Sequence, residues 1–236
     1  MSPPTVAAAA GLIVAMASTP VLQGVPRKDV ERLAGSGSVR RFRRGTYICH
    51  QGDPSPEVYF LVEGRIEISS FSPTGARILH ASVDAPQFLG ELGVLGELPR
   101  GADLLTLEDT DVWTAEGEDF VEFITGQPGA ARQLLAALAR QIQEHQAFAD
   151  DLLYLDLKGR VAKRLLQMGT PSLEDLPAPG MPVPALTHAD LASLCGGSRE
   201  NVTRIVADFQ RRGLVKRDGK RYILKKPAQL AKIAGL

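Results

Sequence analysis

Cysteine is scarce in this chain: Cys49 and Cys195 are the only two in 236 residues, and they lie far apart in sequence. Such a pair offers no disulfide framework and fits a reducing cytoplasm, which excludes a small stapled extracellular scaffold. Neither sign of charge dominates, with 27 Lys and Arg against 27 Asp and Glu, so the chain as a whole is neither a polycation nor an acidic tail protein. Long apolar runs are missing as well. No segment approaches the roughly 18 apolar residues that span a bilayer, and no membrane partner is expected. The stretch VAAAAGLIVAMA, residues 6–17, follows MSPPT with no Lys or Arg before it, and reads as a frayed or helical lead-in over residues 1–18 rather than a secretory signal.

Carriers of catalysis are also absent. The four histidines, at 50, 80, 145 and 188, include no closely spaced pair of the kind a metal-dependent cupin enzyme requires. There is no Gly-Lys-Ser phosphate loop and no Gly-x-Ser-x-Gly elbow. Neither enzyme activity nor a bound metal is expected. The chain is nonetheless long enough for two domains with real cores, at 44% hydrophobic residues and a mean hydropathy of -0.04.

The most informative segment is residues 186–224. Thr187 is a good N-cap, and Asp190 three residues on approximates a capping box ahead of Leu191 and Leu194. Gly196 and Gly197 free the backbone for a bend, after which Ser198 caps a second helix with Val202, Ile205, Val206 and Phe209 on one face. Its other face carries Arg199, Glu200, Thr203 and Arg204. Gly213 ends that helix, and Asp218-Gly219 suits a tight turn between two apolar runs, Leu214–Val215 and Tyr222–Leu224. Helix, turn, helix and hairpin in this order form a winged DNA reader.

Basic charge concentrates in the same place. From Arg199 to Lys226 there are ten Lys or Arg against three Asp or Glu, a local excess of seven in a chain of zero formal charge. A solvated helix face would carry charge too, and Glu200 with Arg204 could be an i,i+4 ion pair worth about 0.2–0.5 kcal/mol. Caps, turn, hairpin and charge asymmetry agree, however, and together they favour contact with phosphate.

Between about Arg40 and Thr114 the chain turns to short β-rich runs separated by Gly, Pro and Asp, with Gly45, Gly52 and Gly64 at turn positions. This pattern is that of an all-β barrel or jelly roll. A long helix follows, from about Pro128 to Leu155. Leu135, Leu138, Ile142, His145, Ala149 and Leu152 recur along it at alternating intervals of three and four, the seam of a coiled coil. Two such helices would make a parallel dimer, which suits a palindromic site whose half-sites lie about 34–36 Å apart. Asp156 then opens a further helix to Met168, and the Pro-rich residues 169–186 read as a loop.

SRENVTRIV, preceded by LASLCGG and followed by the hairpin, resembles the recognition helix of the cyclic AMP receptor protein and fumarate-nitrate regulator (Crp/Fnr) family of bacterial transcription factors, over about residues 19–226. The resemblance implies an α+β chain: lead-in 1–18, a cyclic-nucleotide-binding β-roll at 19–127, a dimerisation helix at 128–155 and a winged helix-turn-helix domain at 156–236. In the cyclic AMP branch, the residues matching Arg199, Glu200 and Arg204 read a TGTGA-type half-site. Arg donates to guanine and Glu accepts from cytosine N4. Asn201 stands where Thr is usual, and Thr187 and Ser198 complete the expected DNA-binding set.

A second motif, FLGELGVLGELPRGA at residues 88–102, resembles the family's phosphate-binding cassette. The resemblance implies that Gly90, Glu91 and Leu92 open a short helix, that the Glu91 carboxylate accepts a ribose hydroxyl, and that Arg100 pairs with the cyclic phosphate. Gly101 replaces the Ser or Thr usual in bacterial members, followed by Ala102. The alternative is that Glu91 and Arg100 form a plain ion pair in a domain that has lost nucleotide sensing. His145 and Gln146 fall where the cyclic AMP branch places the Thr and Ser that contact adenine. The resemblance thus implies cyclic AMP as effector, double-stranded DNA and a second copy of the chain as partners, and RNA polymerase as a further partner through the 169–186 loop. Cyclic di-GMP and haem stay open as other effectors, and a nucleotide-gated module with a degenerate DNA reader is the other reading. An iron-sulfur sensor is excluded, since no cysteine precedes Cys49.

Overall fold

The computed structural model describes residues 6–72, 75, 77–170, 173, 175–219 and 221–236, with side chains from residue 10 onward. The chain divides into two units, Met1–Ile142 and Gln143–Leu236.

The first unit opens with helices α1 (Val6–Ser18) and α2 (Arg27–Gly35), followed by strands β1 (Gly37–Phe42), β2 (Tyr47–Cys49), β3 (Glu57–Glu63), β4 (Arg65–Phe71), β5 (Arg77–Asp84) and β6 (Gln87–Leu89). Helix α3 (Glu91–Gly96) interrupts before β7 (Asp103–Thr106), β8 (Thr110–Glu116) and helix α4 (Gly117–Gly126). The strands form two four-stranded antiparallel sheets, ordered β1-β8-β3-β6 and β2-β7-β4-β5. This is a β-roll with helices on one sheet.

Strand β3 shows why both sides are needed. Val58, Tyr59, Phe60 and Leu61 are all buried in succession, where a half-solvated strand would alternate. Tyr59 and Leu61 join Cys49, Ile66, Leu89 and Leu104 in one core, whereas Val58 and Phe60 join Trp113, Phe120 and the helices in another. Helix α1 belongs to that second core: Leu12 and Met16 are buried in it, so residues 6–18 are a packed helix and not a frayed lead-in. The Trp113 indole donates to the Ala34 carbonyl at 3.0 Å, fastening α2 to β8. Cys49 ends β2 within the roll, and burial pushes its thiol up to about 11.

Helix α5 (Pro128–Tyr154) begins in the first unit, burying Ala130 and Leu134 in the helical core. Leu135, Ile142 and Leu152 of the heptad stripe are exposed, at 67%, 57% and 45%. Leu135 and Ile142, seven residues apart on the first unit's part of the helix, leave large apolar surface that water does not favour.

The second unit packs α6 (Leu157–Gln167), α7 (His188–Leu194), α8 (Arg199–Arg211) and α9 (Pro227–Ile233) with a three-stranded sheet of β9 (Pro182–Val183), β10 (Val215–Asp218) and β11 (Arg221–Leu224), in the order β10-β11-β9. Asp156 caps α6 by accepting from Gly159 N at 2.7 Å. Val161, Leu165, Leu191, Val202, Val206, Phe209 and Tyr222 form its core. Residues 169–186 are not loop throughout: Pro182 and Val183 pair with Ile223 and Tyr222. Two residues are too few to show strand periodicity in a sequence, and their pairing is decided by β11. Pro171, Ser172 and Glu174 of that segment lie outside the described residues. Helix α9 lies beyond the hairpin; Pro227 at its first turn starts it, and Leu230 and Ala231 bury it against the same core.

Candidate ligand pocket and nucleic-acid interface

The cassette residues converge at the end of β6. Gly90 adopts φ 78° and serves as the N-cap of α3, a conformation that excludes most side chains. After α3 the chain returns through Arg100, whose backbone locks onto the β2-β3 connection: Arg100 N donates to Asp53 O and Gly52 N donates to Arg100 O, each at 2.8 Å. The side chain then runs inward and is 5% exposed. Its Nη2 donates to Glu57 O at 2.6 Å, its Nη1 donates to Gly90 O at 3.1 Å, and the guanidinium lies 4.6 Å from the Tyr59 ring centroid. The Nε is buried without a hydrogen-bond partner.

No carboxylate pairs with this cation among the described residues. Glu91 and Arg100 therefore do not form the plain ion pair that the sequence allowed: the cation is taken up by two backbone carbonyls instead. Burial holds the Glu91 carboxyl above the usual carboxylate range, against the weaker opposing pulls of its own backbone N–H and of Arg100. A buried guanidinium with only neutral partners and an unused N–H is an incomplete arrangement, because isolated buried charge is costly. An anion with several acceptor oxygens would complete it. Leu92 is 49% exposed. Gly101 is exposed, with open space where a Cβ would stand, and the Ala102 carbonyl faces the Cys49 Sγ at 3.9 Å. His145 and Gln146 belong to the second unit and are exposed on α5.

The helix-turn-helix is built as its caps dictate. Thr187 accepts from Asp190 N, and the Asp190 carboxylate accepts from Thr187 N at 3.0 Å, a full capping box. The Ser198 hydroxyl accepts from Asn201 N at 3.3 Å and starts α8. Arg199, Glu200, Asn201 and Arg204 are all exposed along its first turns. Arg204 donates to the Asn201 side-chain oxygen, so the i,i+4 pair with Glu200 is not made. Behind the turn, Arg160 donates to the Cys195 and Gly196 carbonyls at 2.8 and 3.2 Å, and burial pushes the Cys195 thiol up to about 12. Neither cysteine is poised as a thiolate.

Residues 39–127 match the cyclic nucleotide-binding domain family, and residues 159–233 match the Crp-like helix-turn-helix domain family. The chain belongs to the Crp/Fnr family. This regulator is a DNA-binding protein of that family. It is similar to the CRP-like cAMP-activated global transcriptional regulator of Mycobacterium tuberculosis, at 27% identity over 93% of this chain and 98% of the relative. It is also similar to the cyclic AMP receptor protein of Thermus thermophilus, at 27% identity over 85% of this chain and 90% of the relative. Among solved structures, the catabolite activator protein of Thermus thermophilus matches with a TM-score of 0.55 and 27% identity, over 92% of this chain and 99% of that one. The c-di-GMP responsive global regulator CLP of Xanthomonas campestris shares the fold with a TM-score of 0.68 at 24% identity, over 85% of this chain and 99% of that one.

Sequence reasoning missed several residues of the two candidate sites. Tyr59 and the carbonyl of Glu57 hold Arg100, and no local pattern signals either. His188 and Arg217 link the recognition helix to the wing, 29 residues apart. Among the described residues no group of His, Cys, Asp or Glu could hold a metal ion, and no helix is long and apolar enough to cross a membrane.

Proposed function

We propose that this regulator is a cytoplasmic homodimer that binds a palindromic TGTGA-like DNA site under the control of a cyclic nucleotide, with cyclic AMP as the first candidate. The observation that carries the effector is Arg100, a buried cation whose partners are two carbonyls and a ring. In this reading Arg100 holds the cyclic phosphate, the backbone at Gly90, Glu91 and Leu92 helps hold the anion, Glu91 accepts a ribose hydroxyl, and Gly101 and Ala102 line the pocket with no side-chain donor of their own. The adenine-facing positions are His145 and Gln146. The names of the Mycobacterium and Thermus relatives support cyclic AMP. The changed residues at 101, 145 and 146 favour a second reading, in which a different anionic nucleotide such as cyclic di-GMP is the effector.

For DNA, Arg199 and Arg204 donate to guanine and Glu200 accepts from cytosine. Asn201 flanks them, and the capped helix starts at Thr187 and Ser198 present the set. The dimer forms through α5, within an organisation of β-roll 19–127, helix 128–155 and winged domain 156–236. The effector acts by shifting the pairing of the long helices and so the spacing of the two readers. RNA polymerase is the partner proposed for the 169–186 segment.

The test is fluorescence anisotropy of a labelled TGTGA-type palindrome titrated with the protein at one fixed salt concentration, with and without cyclic AMP. Tightening by cyclic AMP is expected. Equal binding in both would overturn cyclic AMP control, and repeating the titration with cyclic di-GMP would then test the second reading. Replacing Arg199 by Ala should cost about 1–3 kcal/mol on the matched half-site and relax the preference at one base. An equal loss on every sequence would contradict direct readout.

A further inference from the structure

The first residue of α7, His188, sits between the recognition helix and the wing and touches both. Its Nδ1 lies 2.9 Å from the Thr203 hydroxyl of α8, and its Nε2 lies 3.1 Å from Nη1 of Arg217 on β10. The ring stacks against Tyr222 of β11, 15° from parallel at 6.5 Å between centroids. Each of these partners is fixed in turn. Thr203 donates its hydroxyl proton to the Arg199 carbonyl at 2.7 Å. Arg217 donates from Nε to the Gly219 carbonyl at 3.0 Å and lies 5.7 Å from the Tyr222 ring centroid.

This chain of donors leaves one protonation state for the imidazole. The Thr203 oxygen has already used its proton, so it offers lone pairs and Nδ1 must carry an N–H. A guanidinium offers only N–H groups, so Nε2 must present its lone pair. A second proton on the ring would set Nε2–H against the Arg217 N–H. The groups facing the ring agree. Arg217 comes from β10, Arg199 from α8 and Tyr222 from β11, while Asp190 on its own helix is engaged in the cap with Thr187. Partial burial first, and the Arg217 and Arg199 charges after it, hold His188 below the usual histidine range.

We propose that His188 is a positioning residue for DNA binding: in its neutral form it clamps the wing arginine Arg217 to the recognition helix, so that phosphate contact by the wing is lost when the ring is protonated. Arg217 is exposed, and a guanidinium held at a fixed distance from the reading face forfeits less conformational freedom on binding than a free one. His188 acts through Arg217 and Thr203 and reads no base itself in this scheme.

The test uses the full chain and three variants, H188Q, H188A and R217A, each checked for folding by circular dichroism. Anisotropy is followed from pH 8.5 to about 5.5 on the palindromic duplex and on a scrambled duplex at lower salt, because a wing that contacts phosphate should report on both. A glutamine supplies one donor and one acceptor without titrating. H188Q should therefore hold near wild-type affinity at high pH and keep it as the pH falls, whereas the parent weakens toward the acid end of the range, by up to several-fold at about pH 5.5, as His188 protonates below the usual histidine range. At high pH, H188A should weaken binding and lower the salt slope by about one phosphate contact, roughly 0.9, and R217A should cost little further in the H188A background. Parallel pH profiles for the parent and H188Q would overturn the proposal, as would full additivity of H188A and R217A. Failure on the palindrome alone, with the pH difference kept on the scrambled duplex, would instead count against the half-site reading.

Discussion

The guanidinium of Arg100 lies 4.6 Å from the centroid of the Tyr59 ring, buried and matched by carbonyl oxygens rather than by the neighbouring Glu91. Two groups of opposite charge stand in one cassette without neutralising each other. That arrangement costs folding free energy, which the proposed nucleotide would offset by supplying a phosphate to one and a hydroxyl to the other.

Replacing Gly90 by Ala strains the backbone at φ 78° and sets a methyl 2.3 Å from Arg100 Nη1. The expected cost is about 1–3 kcal/mol of stability, together with loss of the cyclic AMP response, because Arg100 must move. Chemical denaturation and calorimetric titration of the nucleotide measure the two effects separately. Unchanged nucleotide affinity would show that the Arg100 position is irrelevant to the ligand.

Gly101 offers the opposite case. A Cβ there meets nothing within 4 Å, and the backbone is not left-handed. Gly101→Ser should leave the melting temperature unchanged and tighten cyclic AMP binding several-fold, since one added hydroxyl donor to an anion is worth about 1 kcal/mol net. If titration finds no gain, the phosphate does not lie beside residue 101.

Glu91 gives a pH signature. Its carboxyl is raised in the folded protein by burial, so the charged form destabilises the fold at high pH, and that penalty vanishes once the group is protonated. Glu91→Gln should therefore raise the melting temperature at neutral pH. The gap should close as pH falls from the raised folded value through the ordinary carboxylate pKa. The same variant should weaken the nucleotide by losing a charged acceptor. A stability gap that persisted below pH 4 would contradict this account.

Ile142 is 57% exposed on the stripe that also carries Leu135 and Leu152. Ile142→Glu puts two like charges on the proposed seam of a dimer while leaving each monomer's core intact. The dimer dissociation constant should rise by at least about tenfold, equivalent to 1.4 kcal/mol, as read by sedimentation. An unchanged association state would place the dimer contact elsewhere.

The DNA reader was legible because its signals are local. The Thr187 and Ser198 caps, the Gly196-Gly197 bend and the Asp218-Gly219 turn each act within four residues, and the structure builds elements between them. The β-roll was legible as a class, and so was the short helix after Gly90. What escaped was decided at a distance. The packing of α1 depends on Phe60 and Trp113, far along the chain. Strand β9 exists because β11 offers it an edge.

By itself the sequence determined which side chains are available and where the backbone can cap, bend and turn, since those preferences act between near neighbours. Only the tertiary structure decided their electrostatic states. Arg100 meets the Glu57 carbonyl across 43 residues, and His188 meets Arg217 across 29. A carbonyl carries no side-chain signature, and the charge and tautomer of a ring depend on which donors surround it, so neither can be read until the chain has folded.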